Sequence, residues 1–263
     1  MQRLCQYSAA AFLIVLSGCA TQPPKESTPH PLAAHIGAVT YHVRDSGDAT
    51  PDEHPSGIGL AGPPSCQKWG TATGEIFHGC ARRAAKVSLV PIGDAAAERY
   101  QTVVELKQNL IDDDTMRHHT PPITEAADSE RLSDEQRNVV LDAVVYAFKA
   151  EDDRDFHLIV GDPDCDSPRC FMNVEVSALP KEAGSDKDDL TSVRAQFRSW
   201  LESEPGATYL FFVDDQGNGS PVPVRIEGSL FYDLDHVAGT VGPTGFRPDT
   251  SWEIHPIRKL AQR

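Results

Sequence analysis

Between residues 138 and 263 the chain passes through β-rich segments and one amphipathic helix in the order β-β-β-α-β-β. This order predicts a mainly β chain with helix, its C-terminal half closed as an OB-like five-stranded barrel. The first strand is read over Val139 to Glu151, dense in β-branched and aromatic residues. A second, Phe156 to Val160, follows a charged turn, and a third, Phe171 to Val176, follows the tip between Cys165 and Cys170. The helix is expected from Asp186 to about Glu202, with Ser185 and Asp188 as a capping-box-like start. Leu190, Val193, Phe197, Trp200 and Leu201 form its apolar face. Val222 to Tyr232 and Trp252 to Leu260 supply the last two barrel strands. Tyr209 to Val213 is a further strand outside the barrel count, joined onward by the turn residues Asp214 to Gly219. Closing the sheet removes edges that five open strands would expose. The alternative is an α+β open sheet with one packed helix.

Ahead of the barrel domain (138–263) the pattern is less regular. Residues 61–115 are expected to form a small disulfide-pinned N-terminal region, with a helix from Asp94 to about Asn109 striped by Ala97, Tyr100, Val104 and Leu106. Asp112, Asp113 and Asp114 read as a solvated acidic turn, because they lack the alternating ligands and central glycine of an EF-hand loop. Residues 116–137 read as a linker. Residues 19–60, rich in Pro, Ser, Thr, Gly and His, read as a flexible tether apart from a short run from Ala38 to Val43. The irregular spacing of His30, His35, His42 and His54 suits a solvated linker better than a metal tract.

The N-terminus carries an address. One basic residue, Arg3, precedes an apolar run from Ala9 to Leu16, which closes in Leu16-Ser17-Gly18-Cys19. The run is far shorter than the roughly 20 residues of a membrane span, so it reads as an export signal. It resembles the bacterial lipoprotein signal. That resemblance implies removal of residues 1–18 as a signal peptide, a diacylated (palmitate-type) Cys19, and, with Ala20 in place of Asp, the outer membrane. The expected location is therefore the cell envelope, lipid-anchored and facing the periplasm. With 24 basic and 39 acidic residues the formal charge is −15, which speaks against a nucleic-acid partner. It also leaves membrane attachment to the lipid. Cys5 leaves with the signal and Cys19 is lipidated, so Cys66, Cys80, Cys165 and Cys170 remain. Four thiols allow three pairings. The local bonds Cys66–Cys80 and Cys165–Cys170 are favoured, since neither pair has the C-x-x-C spacing of a zinc site.

Two segments carry the candidate chemistry: Glu151-Asp152-Asp153-Arg154-Asp155-Phe156-His157-Leu158 and Trp252-Glu253-Ile254-His255-Pro256-Ile257. With Phe231-Tyr232-Asp233, His236, Gly239 and Gly242, they resemble an uncharacterised group of exported bacterial proteins sharing E-D-D-x-D-[FY]-H-L and E-[IL]-H-P motifs. The resemblance spans about residues 138–260 and implies a shared fold with no activity to transfer. In a strand, residues two apart share a face, so Asp155 lies with His157 and Glu253 with His255, with Asp233 and His236 as third contributors. Such a set could bind a divalent metal, the only cofactor it suggests, or supply a general acid and base. The structural alternative places the pairs on the barrel's wet face, where the histidines fix strand register.

No G-x-S-x-G, P-loop or H-E-x-x-H pattern occurs. Arg194, Arg198 and Arg225 do not make a phosphodiesterase site in so acidic a chain. No catalytic residue is therefore assigned. The expected function is a non-enzymatic, envelope-anchored binding module whose partner is an envelope protein or, as a second class, a glycan. The competing expectations are a metal-dependent hydrolase using His157 and His255 with Asp155 and Glu253, and a scaffold lipoprotein of an envelope complex.

Overall fold

The computed structural model describes residues 30–46, 81–92, 97–124, 126–151, 153–180, 183–203, 205–206 and 208–263. Cys19, Cys66 and Cys80, with the lipidation and the first disulfide expected there, lie outside the described residues. No helix among the described residues is long and apolar enough to cross a membrane.

The chain runs through β1 (His30–Ile36), β2 (Val39–Asp45), α1 (Arg83–Lys86), β3 (Glu98–Tyr100), α2 (Val103–Gln108), α3 (Asp113–Arg117), β4 (Asn138–Ala150), β5 (Phe156–Gly161), β6 (Phe171–Val176), α4 (Ser185–Ser199), β7 (Leu210–Val213), β8 (Val222–Tyr232) and β9 (Trp252–Gln262). Five of these strands close on themselves in the order β4-β5-β6-β9-β8-β4. All pairings in the ring are antiparallel except β6 with β9. This is the expected OB-like barrel, with its helix between the third and fourth barrel strands.

One long strand makes the closure possible. β4 pairs with β8 through Asn138–Val145 and with β5 through Val144–Ala150. A bulge between Val145 and Ala147 turns it from one neighbour to the other. The bulge also switches the parity of the buried face: Val139, Leu141, Ala143 and Val145 point into the core, and beyond the bulge Phe148 does. Leu158, Val160, Val174, Val176, Val224, Ile226, Ile254 and Ile257 complete the filling from the other strands. Helix α4 packs against one end of the barrel, where Phe197 meets Phe148 at 5.9 Å and Phe156 at 5.0 Å between ring centroids. Its N-cap is Gly184 and no side chain caps it, so the Ser185–Asp188 capping box is not formed. Asp186 instead accepts a hydrogen bond from the Leu89 backbone N–H at 3.0 Å.

Four upstream expectations are corrected. Within the span read as a tether, β1 and β2 form a hairpin that adds to β7, which in turn pairs with β4. The alternation of buried Tyr41 and Val43 with exposed neighbours in the Ala38–Val43 run gives that hairpin a core-facing side. His35 and His42 are half-exposed and hydrogen-bond Glu202 and Asp215. The helix expected from Asp94 is, within the described residues, strand β3 followed by α2. Thr102 Oγ1 caps α2 by accepting from Glu105 N, while Glu98 is engaged by Arg137 and Tyr100. Tyr100, Val103, Leu106 and Met116 belong to the barrel's own core, so 98–117 is not a separate region. The acidic run is structural: Asp112 caps α3, and Asp113 accepts from Ser251 N and Thr250 Oγ1. Residues 116–137 are not a linker either, since Met116, Ala127 and Glu135 are fully buried.

The Cys165–Cys170 disulfide forms as expected and closes the hairpin tip between β5 and β6. Replacing both cysteines by alanine should cost about 2 kcal/mol, the loop-closure entropy of so short a ring, read as a lower midpoint in urea unfolding. Gly228 lies where β8 crosses β9, and a Cβ there would stand 2.5 Å from Pro256 O and 2.6 Å from Ile254 Cγ2. Gly228→Ala should therefore destabilise by about 1–3 kcal/mol in the same assay, with the fold retained.

Candidate functional site

The barrel strands carry a second layer of side chains on the face opposite the core. From β5 comes His157, from β6 Asn173 and Glu175, from β8 Phe231, and from β9 Glu253 and His255. Cross-strand register sets His157 against Glu175, Asn173 against Glu253, and Phe231 against Glu253. His157 and His255 are on non-adjacent strands, and the middle strand joins them. Glu175 Oε1 lies 3.1 Å from His157 Nδ1, and its Oε2 lies 3.2 Å from His255 Nδ1. All six predicted site residues meet here. Asp155 places Oδ2 3.4 Å from His255 Nε2, and His236 Nδ1 donates to or shares a proton with Glu253 Oε1 at 2.5 Å. Asp233 Oδ2 is 3.6 Å from His236 Nδ1.

The expected wet face is dry. Asp155, His157, Glu253 and His255 are 0% exposed, and Asp233 and His236 are 2% exposed. The cover comes from two stretches of chain. One is residues 81–90 around α1, and the other is the loop between β8 and β9. Short α1 points its cations inward. Arg83 holds Asp155 through two hydrogen bonds of 3.0 and 3.2 Å, Lys86 Nζ lies 2.6 Å from Asp233 Oδ2, and Arg82 grips Glu135 with bonds of 2.6 and 2.7 Å. Phe231 is packed under this layer, with the Arg82 guanidinium 4.7 Å over its ring and His255 edge-on at 5.5 Å. Arg131 closes the seam by donating to the carbonyls of Ser88 and His255.

Charge is finely balanced here. Asp153, Asp155, Asp233 and Glu151 pair with the permanent cations Arg83, Lys86 and Lys149, whereas Glu175 and Glu253 pair with histidines. Burial by itself would lower the His236 imidazole, but Glu253 and Asp233 outweigh it and push it up to about 10. Burial opposes Glu175 and Asp155 at His255 in the same way, and the result is about 9. His157 is likewise raised well above its ordinary value, with Glu151 and Glu175 overcoming its burial. Burial raises the Glu175 carboxyl, and the neighbouring Glu253 and Glu151 charges add to this against the pull of His255. At Asp155 burial is outweighed by Arg83 and His255, which hold the carboxyl well below the usual range.

Hydrogen bonding stays incomplete. The buried side-chain atoms without a hydrogen-bond partner among the described residues all fall in this one cluster. They include Glu151 Oε1, both ring nitrogens of His157, both oxygens of Glu175, Asn173 Oδ1 and the Tyr209 hydroxyl. Several stand at ion-pair distance but without hydrogen-bond alignment. Such atoms are normally satisfied by water or an ion. Three overlapping donor sets converge within 4.8 Å: Glu151 with His157, Glu175 and His236; Asp155 with Glu175 and His255; and Asp233 with His236 and Glu253.

Glu175, Arg83 and Lys86 were not singled out by sequence reasoning, and Glu151 was quoted in the first motif without a role. Glu175 had a usable signal, since Phe171-Met172-Asn173-Val174-Glu175-Val176 alternates and places Asn173 and Glu175 together on the non-core face. Arg83 and Lys86 had none, because nothing local ties them to strands some 70 residues away. Compared with known proteins, the chain matches no family model, no curated protein and no solved structure.

The Arg83–Asp155 pair is fully buried, so removing the cation leaves an uncompensated carboxylate. Arg83→Met should lower stability by about 3–5 kcal/mol in denaturant unfolding. The double variant Arg83→Met/Asp155→Leu should recover much of that loss; failure to recover any would mean that the pair is not the source.

Proposed function

We propose that this protein is a non-enzymatic interaction module of the bacterial envelope, held to the outer membrane by lipid on Cys19 and presenting its barrel to another envelope protein. The observation that carries the reading is the sealing of the chemically rich face. In OB-like barrels the second and third strands and the loops beside them are the usual ligand surface. Here those are β5 and β6 with residues 151–155 and 233–251, and the chain's own residues 81–90 lie across them. A substrate would have to displace Arg83 and Lys86 from buried ion pairs to reach His157 or His255. This weighs against the hydrolase reading, because a catalytic centre keeps a position open to substrate.

What the barrel offers outward is a cleft of about 610 Å³ beside the disulfide tip, on the side of β2 and β7. Tyr146, Phe211 and Phe246 line it, with Arg44 and Asp164 also on its wall. The three rings are half-buried and packed together, Tyr146 with Phe246 at 5.6 Å and Phe211 with Phe246 at 5.1 Å. Pre-stacked aromatic side chains lose little entropy on contact, and a charge of each sign nearby gives orientation. That combination suits a protein partner.

The test is affinity capture from detergent-solubilised envelopes with the lipidated full chain, beside a Phe246→Asp variant shown to be folded by its circular dichroism. The same partner should be retained in fixed stoichiometry by the first and lost by at least tenfold with the second. Recovery of no specific partner would count against the reading, as would a hydrolytic activity that disappears in His157→Ala/His255→Ala.

A further inference from the structure

We propose that the buried cluster contains a closed divalent-cation site of the zinc class, held by Glu151 Oε1, His157 Nδ1, Glu175 Oε1 and His236 Nδ1. These four donors lie within 4.8 Å of one another. A tetrahedral ion with ligands at 2.0–2.1 Å sets its donor atoms about 3.3–3.4 Å apart. The observed edges are 3.4 Å from His157 to Glu151, 3.1 Å from His157 to Glu175, and 3.7 Å from His236 to Glu175. The first three donors also find no hydrogen-bond partner, although all are buried. An imidazole facing two carboxylate oxygens at this spacing, without hydrogen-bond alignment, is the arrangement an ion between them would impose.

The two overlapping sets are less suited. Asp155 is already saturated by Arg83 and by the Ala178 backbone N–H, and Asp233 is taken by Lys86. His236 completes the favoured set by giving up the Nδ1 proton it shares with Glu253, and because that same nitrogen faces the ion, the Glu253 carboxylate has to swing aside as the ion enters. Lys149, 3.2 Å from Glu151 Oε1 and 5.0 Å over the Tyr209 ring, has to withdraw its ammonium as the ion enters. Because three of the four ligands are buried and Glu151 is at the rim with its Oε1 turned inward, the ion would brace β5, β6 and the two covering loops and would present no open coordination position. The inference is independent of the interaction reading.

The experiment uses the lipidated full chain in detergent, purified without chelator and assayed for metal, then stripped and titrated with Zn²⁺ alone and, separately, Mn²⁺ alone. One tightly held Zn²⁺ per chain is expected, with a melting temperature that rises on titration and levels off at one equivalent. X-ray absorption at the zinc edge should show four nitrogen or oxygen neighbours near 2.0 Å, with scattering from two imidazoles. Glu151→Gln, at the rim of the cluster, should weaken Zn²⁺ binding at least tenfold in protein shown to be folded by its circular dichroism. The surface variant His35→Ala/His42→Ala should bind as the parent does. The proposal is overturned by any of three results: no retained metal with no thermal shift for either ion, sulfur in the coordination shell, or affinity that falls with the surface histidines and not with Glu151→Gln.

Discussion

Glu175 stands on the middle strand of the barrel with a histidine on each side, and none of the three side chains is exposed to water. Charge taken from water costs several kcal/mol per ion unless partners of good geometry replace the solvent. Much of the architecture outside the barrel supplies those partners. Residues 81–90 bring Arg82, Arg83 and Lys86 over the strands. They are fastened on several sides: Leu89 N to Asp186 of α4, Val90 N to Ser229 of β8, and the Val90 carbonyl to the Asn138 and Arg258 side chains. The loop after β8 brings Asp233 and His236, and it is pinned in turn by Asp113 ahead of the barrel. Segments far apart in sequence are thus held by one electrostatic requirement.

The barrel separates that requirement from the hydrophobic one. Its interior is aliphatic and aromatic, and α4 packs over one end through Phe197 and Trp200. β5 and β6, with the facing stretches of β8 and β9, carry ionisable groups on their outer face and are buried on both sides by different physics. Dispersion and the hydrophobic effect act inward, and ion pairing acts outward under a strap of the chain itself. Hence the usual binding face of such a barrel is internal here. The aromatic cleft by the disulfide, the surface proposed for recognition, is built partly from β2 and β7, which are additions to the five-stranded ring.

The barrel itself was readable. β-Branched and aromatic content and flanking turns marked its strands, and the spacing of Leu190, Val193 and Phe197 marked the helix. The His157 and His255 motifs stood out because a polar residue at every second position needs a purpose. Less was legible where local pattern and tertiary need diverge. The capping box at Ser185 did not form, and Asp186 of that first turn serves the strap instead. The stripe read as a helix from Asp94 contains Tyr100, which pairs in β3 alongside Leu141. The bulge after Val145 reverses the parity of β4, something no run of residues announces. The polar face was expected to be wet, because alternation tells which side chains share a face and not what covers them.

By its residues alone the chain determined the order of its barrel elements, the Cys165–Cys170 tip, and the sharing of one strand face by Asp155 with His157 and by Glu253 with His255. These follow from local chemistry: the period of a strand and the span of a short loop. Only the tertiary structure decided that Glu175 would bridge the two histidines, that Arg83 and Lys86 would answer Asp155 and Asp233, and that the assembly would be shut away from solvent. Each of those contacts joins residues brought together by barrel closure, and closure depends on register among all five strands, which no single segment encodes.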